Sequence, residues 1–310
     1  MTNDQSPSVV VVDLSIVIVS YNVAGLLGRC LESVHRSLER SSLEHEVVVV
    51  DNASSDGSGE MLRARFPEVR LIQNQANRGF AAATNQGLVE SRGRYMYLLN
   101  PDTEIIGDTP ARLVAFLDSR PEAAMVTGQL LNPDGTLQHG AFRFPSLLMS
   151  FFDFFPIHHR LAGSSLNGRY PLDGPAPFEI DHPLGASMMV KREVVDQVGP
   201  LDEAFFIYCE EVDWCLRMKR AAWRIYCVPR ALIVHHVAQS TRQSAPAMFV
   251  QLYKSRDLLF RKHYSPFFRW CHRRIVHLGV RREIARLEAR HLAPKEAQAW
   301  REAFEAVLAI

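Results

Sequence analysis

The stretch LSIVIVS at Leu14–Ser20 is a continuous apolar run rich in β-branched residues, and EVVVVD at Glu46–Asp51 is a second one. Strands buried on both faces have this composition, whereas strands with one wet face alternate apolar and polar residues. A helical pattern of apolar residues between Leu26 and Leu38 separates the two runs. This order predicts a parallel β-α-β unit at the start of the chain.

The same alternation continues to Asp102. The predicted elements are a helix at Met61–Phe66, a strand at Val69–Gln73, a helix at Phe80–Ser91 and a strand at Tyr95–Leu99. Repeated strand-helix units indicate an α/β fold with a doubly wound, mostly parallel sheet. Such sheets bind ligands at the carboxyl ends of their strands, so the polar residues after each strand are the first candidates for a site.

Beyond Thr109 the pattern is less regular. The turn residues Asn132–Gly135 predict a hairpin, and the aromatic, Pro- and Gly-rich segment Ser146–Phe178 predicts a lid or an acceptor-facing loop. The later predicted elements are strands at Gly185–Val190, Trp223–Val228 and Leu232–His235, helices at Arg192–Val198 and Glu210–Ala221, and helical structure from Ala247 onward.

Length and composition fit one large α/β domain with an appended subdomain: the chain has 310 residues, of which 47% are hydrophobic. Its five cysteines are odd in number and form no CxxC pair. This usage predicts a reducing compartment without a disulfide framework or a zinc site. No signal peptide is visible and no uncharged stretch approaches about 18 residues, so we expect a cytoplasmic protein without a membrane-spanning helix.

Charge is distributed unevenly along the chain. Between Lys254 and Arg290 there are eleven basic and three acidic residues, a local balance of +8, whereas the remainder carries −7. The sequence therefore predicts a distinct basic element after an acidic body.

Two carboxylates belong to the turn-rich segment that follows the second strand. Asp51, at the strand end itself, can accept hydrogen bonds from a pyrimidine N–H or a ribose hydroxyl. The alternative is that Asp51 and Asp56 form turns and cap helices, which explains Asp56 better than Asp51.

The tripeptide Asn100-Pro101-Asp102 follows the predicted strand at Tyr95–Leu99. A divalent cation neutralises a nucleoside diphosphate efficiently as its sugar leaves, and Mg²⁺ or Mn²⁺ prefers oxygen ligands. Asp102 is therefore a candidate metal ligand, although Asn-Pro-Asp is also a common turn.

Three acids, Glu210, Glu211 and Asp213, lie in the first turn of the predicted helix at Glu210–Ala221. Pairing with the helix dipole and with Arg217 four residues later accounts for Asp213. Two adjacent glutamates after four apolar residues are less easily explained by structure. One of them could be a general base that removes a hydroxyl proton.

The pair His235-His236 ends a predicted strand. Because side chains alternate along a strand, only one of these histidines can point into a site. An imidazole nitrogen suits Mn²⁺, but a lone histidine is also often structural.

Taken in order, these segments resemble the inverting glycosyltransferases of family two, which have the GT-A fold. The resemblance is carried by VSYN, VDNASSDGS, NRGFAAATNQG, LLNPDT, GASMMVKR, DEAFFIYCEEVDWCLR and VHH, between roughly Leu14 and Ser240. The chain is most similar to the bacterial rhamnosyltransferase branch, which builds cell-wall and O-antigen polysaccharides.

The resemblance implies a role for particular residues and an Mg²⁺ or Mn²⁺ cofactor. It places the catalytic base on Glu211 and the metal ligands on Asp102 and His235. The implied donor-binding residues are Ser20, Tyr21, Asn22, Asp51, Asn77, Arg78, Gly79, Asn100 and Asp102. The implied acceptor-binding residues are Gly185, Ala186, Glu210 and Trp214, and Ser240 follows the histidine at the family's offset.

The family pattern also implies a domain organisation. A flexible N-terminus at 1–13 precedes a GT-A domain at 14–240, and a basic helical extension occupies 241–310. The domain divides into a nucleotide-binding half at 14–108 and an acceptor-binding half at 109–240.

Three positions depart from the family pattern. Asn100 and Glu211 stand where many relatives have aspartate, and Ala238 stands at a position usually given to glycine. Asn100 lowers the charge of the metal site, and Glu211 is one methylene longer than the usual base. None of the three removes a necessary function.

The implied reaction is a single displacement at the anomeric carbon with inversion. L-Rhamnose from its deoxythymidine diphosphate is the leading donor, with uridine diphosphate sugars, galactofuranose included, as alternatives. The implied acceptor is a hydroxyl of a cell-envelope polysaccharide or a lipid-linked glycan. A helix N-terminus favours ionisation of Glu211, which would keep it ready as a base.

Two other functional classes share this type of fold. A Rossmann oxidoreductase needs a Gly-rich first turn, and Ser20–Gly25 contains no GxGxxG. A non-catalytic nucleotide- or glycan-binding protein on the same fold is the remaining alternative. The presence of Asp102, Glu211 and His235 argues against it.

The basic tail allows two interpretations. Phe267, Cys271, Ile275 and Leu278 form a predicted helical stripe that either packs on the core or binds an anionic membrane surface. In the second case the protein would be peripheral on the inner face of the cell membrane. No recognition motif supports nucleic-acid binding, and the sequence does not indicate an oligomeric state.

Overall fold

The structure is a computed structural model that describes residues 12–155, 161, 163–172, 174–236, 245–287, 289 and 292–310. Most of the expected flexible N-terminus lies outside the described residues, and so do Ala238, Ser240 and the expected domain boundary after residue 240.

The described strands follow the predicted order. They are β1 Leu14–Ser20, β2 His45–Asp51, β3 Arg70–Gln73, β4 Tyr95–Leu99, β5 Thr103–Ile106, β6 Ala123–Leu131, β7 Ala141–Phe142, β8 Phe178–Ile180, β9 His182–Pro183, β10 Ser187–Lys191 and β11 Arg224–His235.

The described helices occupy the segments between these strands and the C-terminal part of the chain. They are α1 Ala24–Leu38, α2 Ser58–Arg65, α3 Phe80–Glu90, α4 Thr109–Ser119, α5 Leu147–Phe152, α6 Arg192–Val198, α7 Glu210–Arg220, α8 Ala245–His263, α9 Pro266–Arg286 and α10 Pro294–Leu308. Of the helices described, none is long and apolar enough to cross a bilayer.

One large sheet organises the molecule, with the strand order β3-β2-β1-β4-β10-β6-β11-β5 and β8 beside β11. β1 to β4, β6 and β11 run in one direction, whereas β10, β5 and β8 are antiparallel to their neighbours. The predicted α/β fold with a mostly parallel sheet and C-terminal helices is therefore confirmed.

Helices cover both faces of this sheet, which explains why β1 carries no polar face. Ile16 and Ile18 pack in one core with Leu27 of α1, while Val17 between them packs in a second core with Trp214 of α7. All of these side chains are buried. Because the parallel strands run in the same direction, their carboxyl ends lie at one edge of the sheet.

Two predictions about local structure have different outcomes. The hairpin is confirmed, because Asn132 N–H donates to the Thr136 carbonyl at 2.8 Å. The two strands expected at Trp223–Val228 and Leu232–His235 form the single strand β11, with a register shift between Val228 and Leu232. Pro229, which has no N–H to donate, lies inside that bulge.

The C-terminal helices α8, α9 and α10 form their own core around Tyr253, Val276, Val280 and Phe304. This core also receives Phe154, which follows α5. A second cluster packs Leu259 and Phe260 of α8 against the segment that leads into α7. The helical extension therefore packs against the α/β domain.

The apolar stripe predicted on α9 is not the packed side of the helix. His272, Val276, Gly279 and Val280 are buried, whereas Phe267 and Leu278 of the stripe are exposed. Of the two interpretations that the sequence allows, packing of the stripe on the core is therefore wrong, and binding to a membrane surface stays a prediction.

Candidate active site

The loops after β1 and β2 are tied together at the carboxyl edge of the sheet. Asn22, with a φ of 53°, donates its N–H to Ser54 Oγ at 2.9 Å, and its Oδ1 accepts from Ser55 N–H at 2.8 Å. Asp56 accepts from Ala24 N–H at 2.7 Å and from Ser58 N–H at 3.1 Å. Asp56 therefore has the capping role expected of it, and Tyr21 beside Asn22 is 41% exposed.

Asp51 and Ser20 lie side by side where β1 and β2 end. Asp51 is fully buried, and its oxygens accept from Ser54 N–H at 3.1 Å and Gln73 Nε2 at 3.3 Å. Part of its role is thus to hold the turn, although each carboxylate oxygen keeps a further lone pair. Ser20 Oγ is buried without a hydrogen-bond partner among the described residues.

The Asn77–Gly79 loop is held against the β2 loop by Asn52. Asn52 Oδ1 accepts from Arg78 N–H at 3.0 Å, and its Nδ2 donates to Asn77 Oδ1 at 2.9 Å. Asn77 Oδ1 also accepts from Gly79 N–H at 2.9 Å. The amide of Asn77 is therefore engaged in shaping the loop, while the Arg78 side chain is exposed beside it.

Gly79 connects this loop to the segment before α7. It has a φ of 84° and a ψ of 170°, and a Cβ there would lie 2.5 Å from the Phe206 carbonyl oxygen. The next residue, Phe80, donates its N–H to the same oxygen at 2.6 Å. Only glycine fits this close approach, which joins the predicted donor side to the helix with the acidic pair.

A sharp backbone turn delivers Glu210 and Glu211 to the start of α7. Tyr208 and Cys209 have φ values of 70° and 68°, a conformation that side chains other than glycine rarely adopt. Strain of this kind persists where surrounding contacts fix it, and it is frequent at functional sites. Here Ser255 Oγ of α8 donates to the Ile207 carbonyl at 2.7 Å.

Both glutamates are poorly solvated, and each has an Oε2 atom without a partner among the described residues. Burial raises the pKa of Glu211 to about 7, against the opposing effect of backbone N–H groups at the helix start. Burial and the neighbouring Glu211 raise the pKa of Glu210 well above its ordinary value. The helix N-terminus favours ionisation of Glu211, as expected, but desolvation outweighs it, so the net effect is a raised pKa.

The predicted acceptor residues Gly185 and Ala186 bridge Glu211 and the end of β4. A Cβ on Gly185 would lie 3.6 Å from Glu211 Cγ, so the two residues are in contact. Ala186 accepts a hydrogen bond from Asn100 N–H at 2.9 Å through its carbonyl oxygen. The Ala186 side chain is buried, so only its backbone and Gly185 face the site.

Asp102 and His235 meet where β5 and β11 pair. Asp102 Oδ1 lies 3.4 Å from His235 Nε2, and both side chains are largely buried. The neighbouring His236 pairs with Glu104 at 2.7 Å instead. The two histidines thus have different partners, as the alternation of side chains along a strand predicts.

Gln138, to which the sequence assigned no functional role, orients His235. Its Nε2 donates to Asn132 Oδ1 at 2.9 Å, which leaves its Oε1 facing His235 Nδ1 at 2.7 Å. His235 must then carry its proton on Nδ1 and present a lone pair on Nε2. The Gln138–His235 contact joins residues 97 apart, so no local pattern could have indicated it.

This arrangement fits a divalent cation. His235 Nε2 lies 3.4 Å from a carboxylate oxygen of Asp102, close enough for one cation to contact both atoms. In the described part of the chain no group of three or more potential metal ligands converges. Two protein ligands suffice for Mg²⁺ or Mn²⁺ when water and diphosphate oxygens complete the shell.

Two side chains of α7, those of Asp213 and Trp214, have structural roles. Asp213 is fully buried and accepts from Arg217 Nε at 2.8 Å, as the spacing predicted. Trp214 was expected to bind the acceptor, but it is fully buried and donates its Nε1–H to the Gly199 carbonyl at 2.8 Å. That expectation is wrong, because Trp214 lies on the core face of the helix.

Contacts among the described residues connect the predicted residues in separate groups. Asn52 holds the Asn77–Gly79 loop, and Gly79 contacts the segment before Glu211. Glu211 contacts Gly185, whose neighbour Ala186 accepts from Asn100 N–H, and Asp102 lies beside His235. That these groups face one shared site stays a prediction.

Comparison with known sequences agrees with this arrangement. A family model described as glycosyl transferase family 2 matches residues 15–197, more than half of the chain. An N-acetylglucosaminyl-diphospho-decaprenol L-rhamnosyltransferase of Mycobacterium tuberculosis is 28% identical over 303 residues, covering 90% of this chain and 96% of the relative. A dTDP-rhamnosyl transferase RfbF of Shigella flexneri is 24% identical over 231 residues, covering 71% of this chain and 72% of the relative.

Solved structures share the fold. Mannosyltransferase PcManGT of Pyrobaculum calidifontis, in complex with GDP-Man and Mn²⁺, superposes with a TM-score of 0.55 at 17% identity, covering 96% of this chain and 85% of that one. GalNAc-T7 with UDP, GalNAc and Mn²⁺ gives 0.58 at 18% identity, covering 81% and 50%. With the GT-A fold and the family match in agreement, the chain belongs to glycosyl transferase family 2, as a nucleotide-sugar glycosyltransferase of the rhamnosyltransferase-like branch.

Proposed function

We propose that this enzyme transfers a sugar with inversion from a nucleoside diphosphate to a hydroxyl of a cell-envelope polysaccharide or a lipid-linked glycan. The observation that carries the proposal is the half-buried Glu211, whose pKa is raised to about 7 and whose side chain contacts Gly185. A base works best when its pKa lies near the operating pH. L-Rhamnose from its deoxythymidine diphosphate is the leading donor, supported by the two similar rhamnosyltransferases.

The donor nucleotide would lie over the loops after β1 and β2. Tyr21 offers an exposed aromatic ring, and the buried Ser20 Oγ has no partner among the described residues. Asp51 keeps lone pairs for a base N–H or a ribose hydroxyl. Arg78 and Asn100 would lie on the diphosphate side of the same edge.

Asp102 and His235 would hold Mg²⁺ or Mn²⁺, with Gln138 fixing the imidazole tautomer. When bound, the ion neutralises the diphosphate that leaves. Support comes from the facing acceptor atoms of the two residues and from the Mn²⁺ named in the related structures.

Glu211 would accept the proton of the acceptor hydroxyl as that oxygen attacks the anomeric carbon. The bond from this carbon to the diphosphate breaks in the same step, which inverts its configuration. The protonated Glu210 beside it would add no second negative charge to the site, since its pKa is raised by burial and by Glu211.

The proposed acceptor places the enzyme at the inner face of the cell membrane. The Mycobacterium tuberculosis relative is named for an acceptor carried on decaprenyl diphosphate. By analogy, the acceptor of this chain would be anchored in the lipid while the protein approaches from the cytoplasm.

The test compares Glu211→Gln with Glu210→Gln, adjacent changes of the same size. Transfer from dTDP-L-rhamnose to an N-acetylglucosaminyl diphosphate polyprenol would be measured with Mn²⁺, together with donor-induced thermal stabilisation. Glu211→Gln should keep the stabilisation and lose about 10²–10⁴-fold in transfer, whereas Glu210→Gln should remain active. Wild-type transfer should fall as the pH drops below about 7, because Glu211 becomes protonated.

Near-normal transfer by Glu211→Gln would remove Glu211 from the base role. Stabilisation by a uridine diphosphate sugar but not by dTDP-L-rhamnose would overturn the choice of donor and leave the reaction class intact.

A further inference from the structure

Helix α9 presents a second, unpacked apolar face. Its buried side carries His272, Val276 and Val280. The opposite side exposes Phe267, Trp270 and Leu278 at 71%, 56% and 63% of their surfaces. The spacing of three and then eight residues places these side chains in one stripe along the helix.

Arginines occupy the same stripe. Arg274 and Arg281 lie four residues after Trp270 and three after Leu278, so they project from the same side of α9. The Arg274 guanidinium lies 5.5 Å from the centre of the Trp270 ring, and Phe267 stacks on that ring with centroids 6.3 Å apart. Single exposed apolar residues are ordinary, but a row of large ones interleaved with arginines is not.

The stripe carries uncompensated positive charge. Among the described residues, no carboxylate lies within 4 Å of its arginines, Arg274 and Arg281. Burial, and then the charges of Arg273, Arg281 and Arg274, lower the pKa of His277 on the same helix. This side of α9 therefore has a positive electrostatic potential, which attracts an anionic surface.

A cavity of about 310 Å³ opens beside the stripe, between α8, α9 and the end of α10. Arg269, Arg273 and Trp270 lie at the cavity together with the apolar side chains Phe260 and Val307. The lining thus combines arginines with apolar side chains, and its aspartate, Asp257, pairs with Arg261. This combination is suited to an anionic headgroup attached to a hydrocarbon chain.

Apolar surface continues onto α5. Phe151 and Leu148 are each 41% exposed, and the Phe151 ring stacks on Phe155 at 4.4 Å. Arg282 of α9 lies 5.4 Å from the Phe155 ring. The exposed face of α9 and the exposed side of α5 are thus joined through one arginine.

We propose that the docking face, defined as Phe267, Trp270, Arg274, Leu278 and Arg281, binds an anionic phospholipid membrane with α9 lying in its interface. The proposal rests on the proposed function in that a lipid-linked acceptor requires contact with the bilayer. Aromatic and aliphatic side chains enter the boundary between headgroups and acyl chains, while arginines remain among the phosphates. Charge complementarity favours lipid over a second copy of this chain, because two such cationic faces would repel each other.

The helices around the docking face also contact the segment that leads into α7. α8, which packs beside α9, holds the Ile207 carbonyl through Ser255, three residues before Glu210. Binding through α9 would therefore hold the acidic pair at a fixed position relative to the lipid surface.

The experiment is flotation of the full-length protein with vesicles of phosphatidylcholine alone or of phosphatidylcholine with equimolar phosphatidylglycerol. Phe267→Ser/Trp270→Ser should lose binding to the anionic vesicles by at least about tenfold. Val89→Ser is the matched control, because Val89 is 82% exposed on α3, and it should bind as wild type does.

A second pair of variants tests charge. Arg274→Gln/Arg281→Gln should weaken binding about fivefold for each arginine, with the greatest effect at low salt. Arg36→Gln/Arg40→Gln removes two exposed arginines near the end of α1 and should change nothing.

Equal binding of the docking-face variants and the wild type would overturn the proposal. So would sedimentation without vesicles that shows a wild-type dimer and a monomeric Phe267→Ser/Trp270→Ser variant, since the face would then join two copies. Flotation is read without donor or acceptor, so failure of sugar transfer with intact flotation would refute only the proposed function.

Discussion

At the scale of single residues, the contact between Gln138 and His235 determines what the imidazole can bind. A histidine binds a cation only through a nitrogen that carries no proton, and Gln138 Oε1 at 2.7 Å keeps the proton on the other nitrogen. Partners of this kind are as important to a metal site as the ligands themselves.

Gln138→Met should therefore weaken Mn²⁺ binding by about 10–100-fold, because the tautomer of His235 is no longer fixed. Gln138→Glu keeps an acceptor for Nδ1–H and should restore binding. Free Mn²⁺ would be titrated by electron paramagnetic resonance in the presence of dTDP, without a sugar donor. Wild-type affinity in Gln138→Met, or equal losses in both variants, would contradict this role.

The site residues differ in how far the sequence alone predicts their positions. Asp102 and His235 were paired only through the family resemblance, and the structure brings them within 3.4 Å. Gln138 was missed because its partner is 97 residues away. Trp214 was misplaced because helix periodicity shows that a residue lies on an amphipathic helix, whereas the packed side depends on neighbours such as Gly199.

At the scale of elements, the entry to α7 depends on a close approach of two loops. Gly79 meets the Phe206 carbonyl in a backbone conformation that is essentially restricted to glycine. The position of the acidic pair is thereby coupled to the Asn77–Gly79 loop.

Gly79→Ala should destabilise the protein by about 3 kcal/mol or more, because backbone strain and the clash with Phe206 add. Gly57→Ala is the control: Gly57 has a φ of 85° but nothing within 4 Å of its would-be Cβ, so it should cost about 1–2 kcal/mol. Urea unfolding of both variants measures the difference. Equal losses would show that the contact with Phe206 contributes nothing.

The elements themselves were largely predictable. Continuous β-branched runs predict buried strands such as β1 and β2. The predicted bounds of β4 also agree with the structure. The sequence leaves the packed side of α9 open, because both of its sides carry large apolar residues. The partners that pack on it, Phe154 and Phe304 among them, come from other parts of the chain.

At the scale of the whole molecule, Asp213 joins the catalytic domain to the helical extension. It is fully buried and contacts Arg217 of α7 and both Lys262 and His263 of α8, at 2.5–2.8 Å. Burial opposes the charge, but hydrogen bonds from His263, Lys262 and Arg217 prevail and lower the pKa of Asp213.

Asp213→Asn should therefore destabilise the protein by about 3–5 kcal/mol at neutral pH, because Arg217 and Lys262 lose their shared carboxylate and His263 loses a charged hydrogen-bond partner. The lowered pKa means that this stabilisation is present above the ordinary aspartate pKa and is lost as the pH falls through the folded value. Chemical denaturation at neutral and acid pH should show the gap between variant and wild type closing in acid.

Asp202→Asn is the matched control, since Asp202 contacts Lys262 at 2.6 Å near the surface and should contribute at most about 1 kcal/mol. A gap for Asp213→Asn that stays constant with pH would contradict the assignment.

The whole-molecule architecture was predictable as a class but not in detail. Alternating strands and helices indicated a mostly parallel sheet, and the two predicted halves at 14–108 and 109–240 remain a proposal. Both halves contribute to one sheet, because β5 pairs with β11 and β10 pairs with both β4 and β6. Long-range strand pairing of this kind leaves no local signature.

The insertion of β10 between β4 and β6 has a consequence for biosynthesis. The ribosome delivers β4 well before Ser187–Lys191, and at about 5–20 residues per second the edge of β4 waits on the order of 5–20 s for its partner. During such a delay the unpaired edge of a strand is open to pairing with strands of other nascent chains. Overproduction of the N-terminal hundred residues alone would accordingly yield insoluble material, and a holdase chaperone would raise the yield of the intact polypeptide.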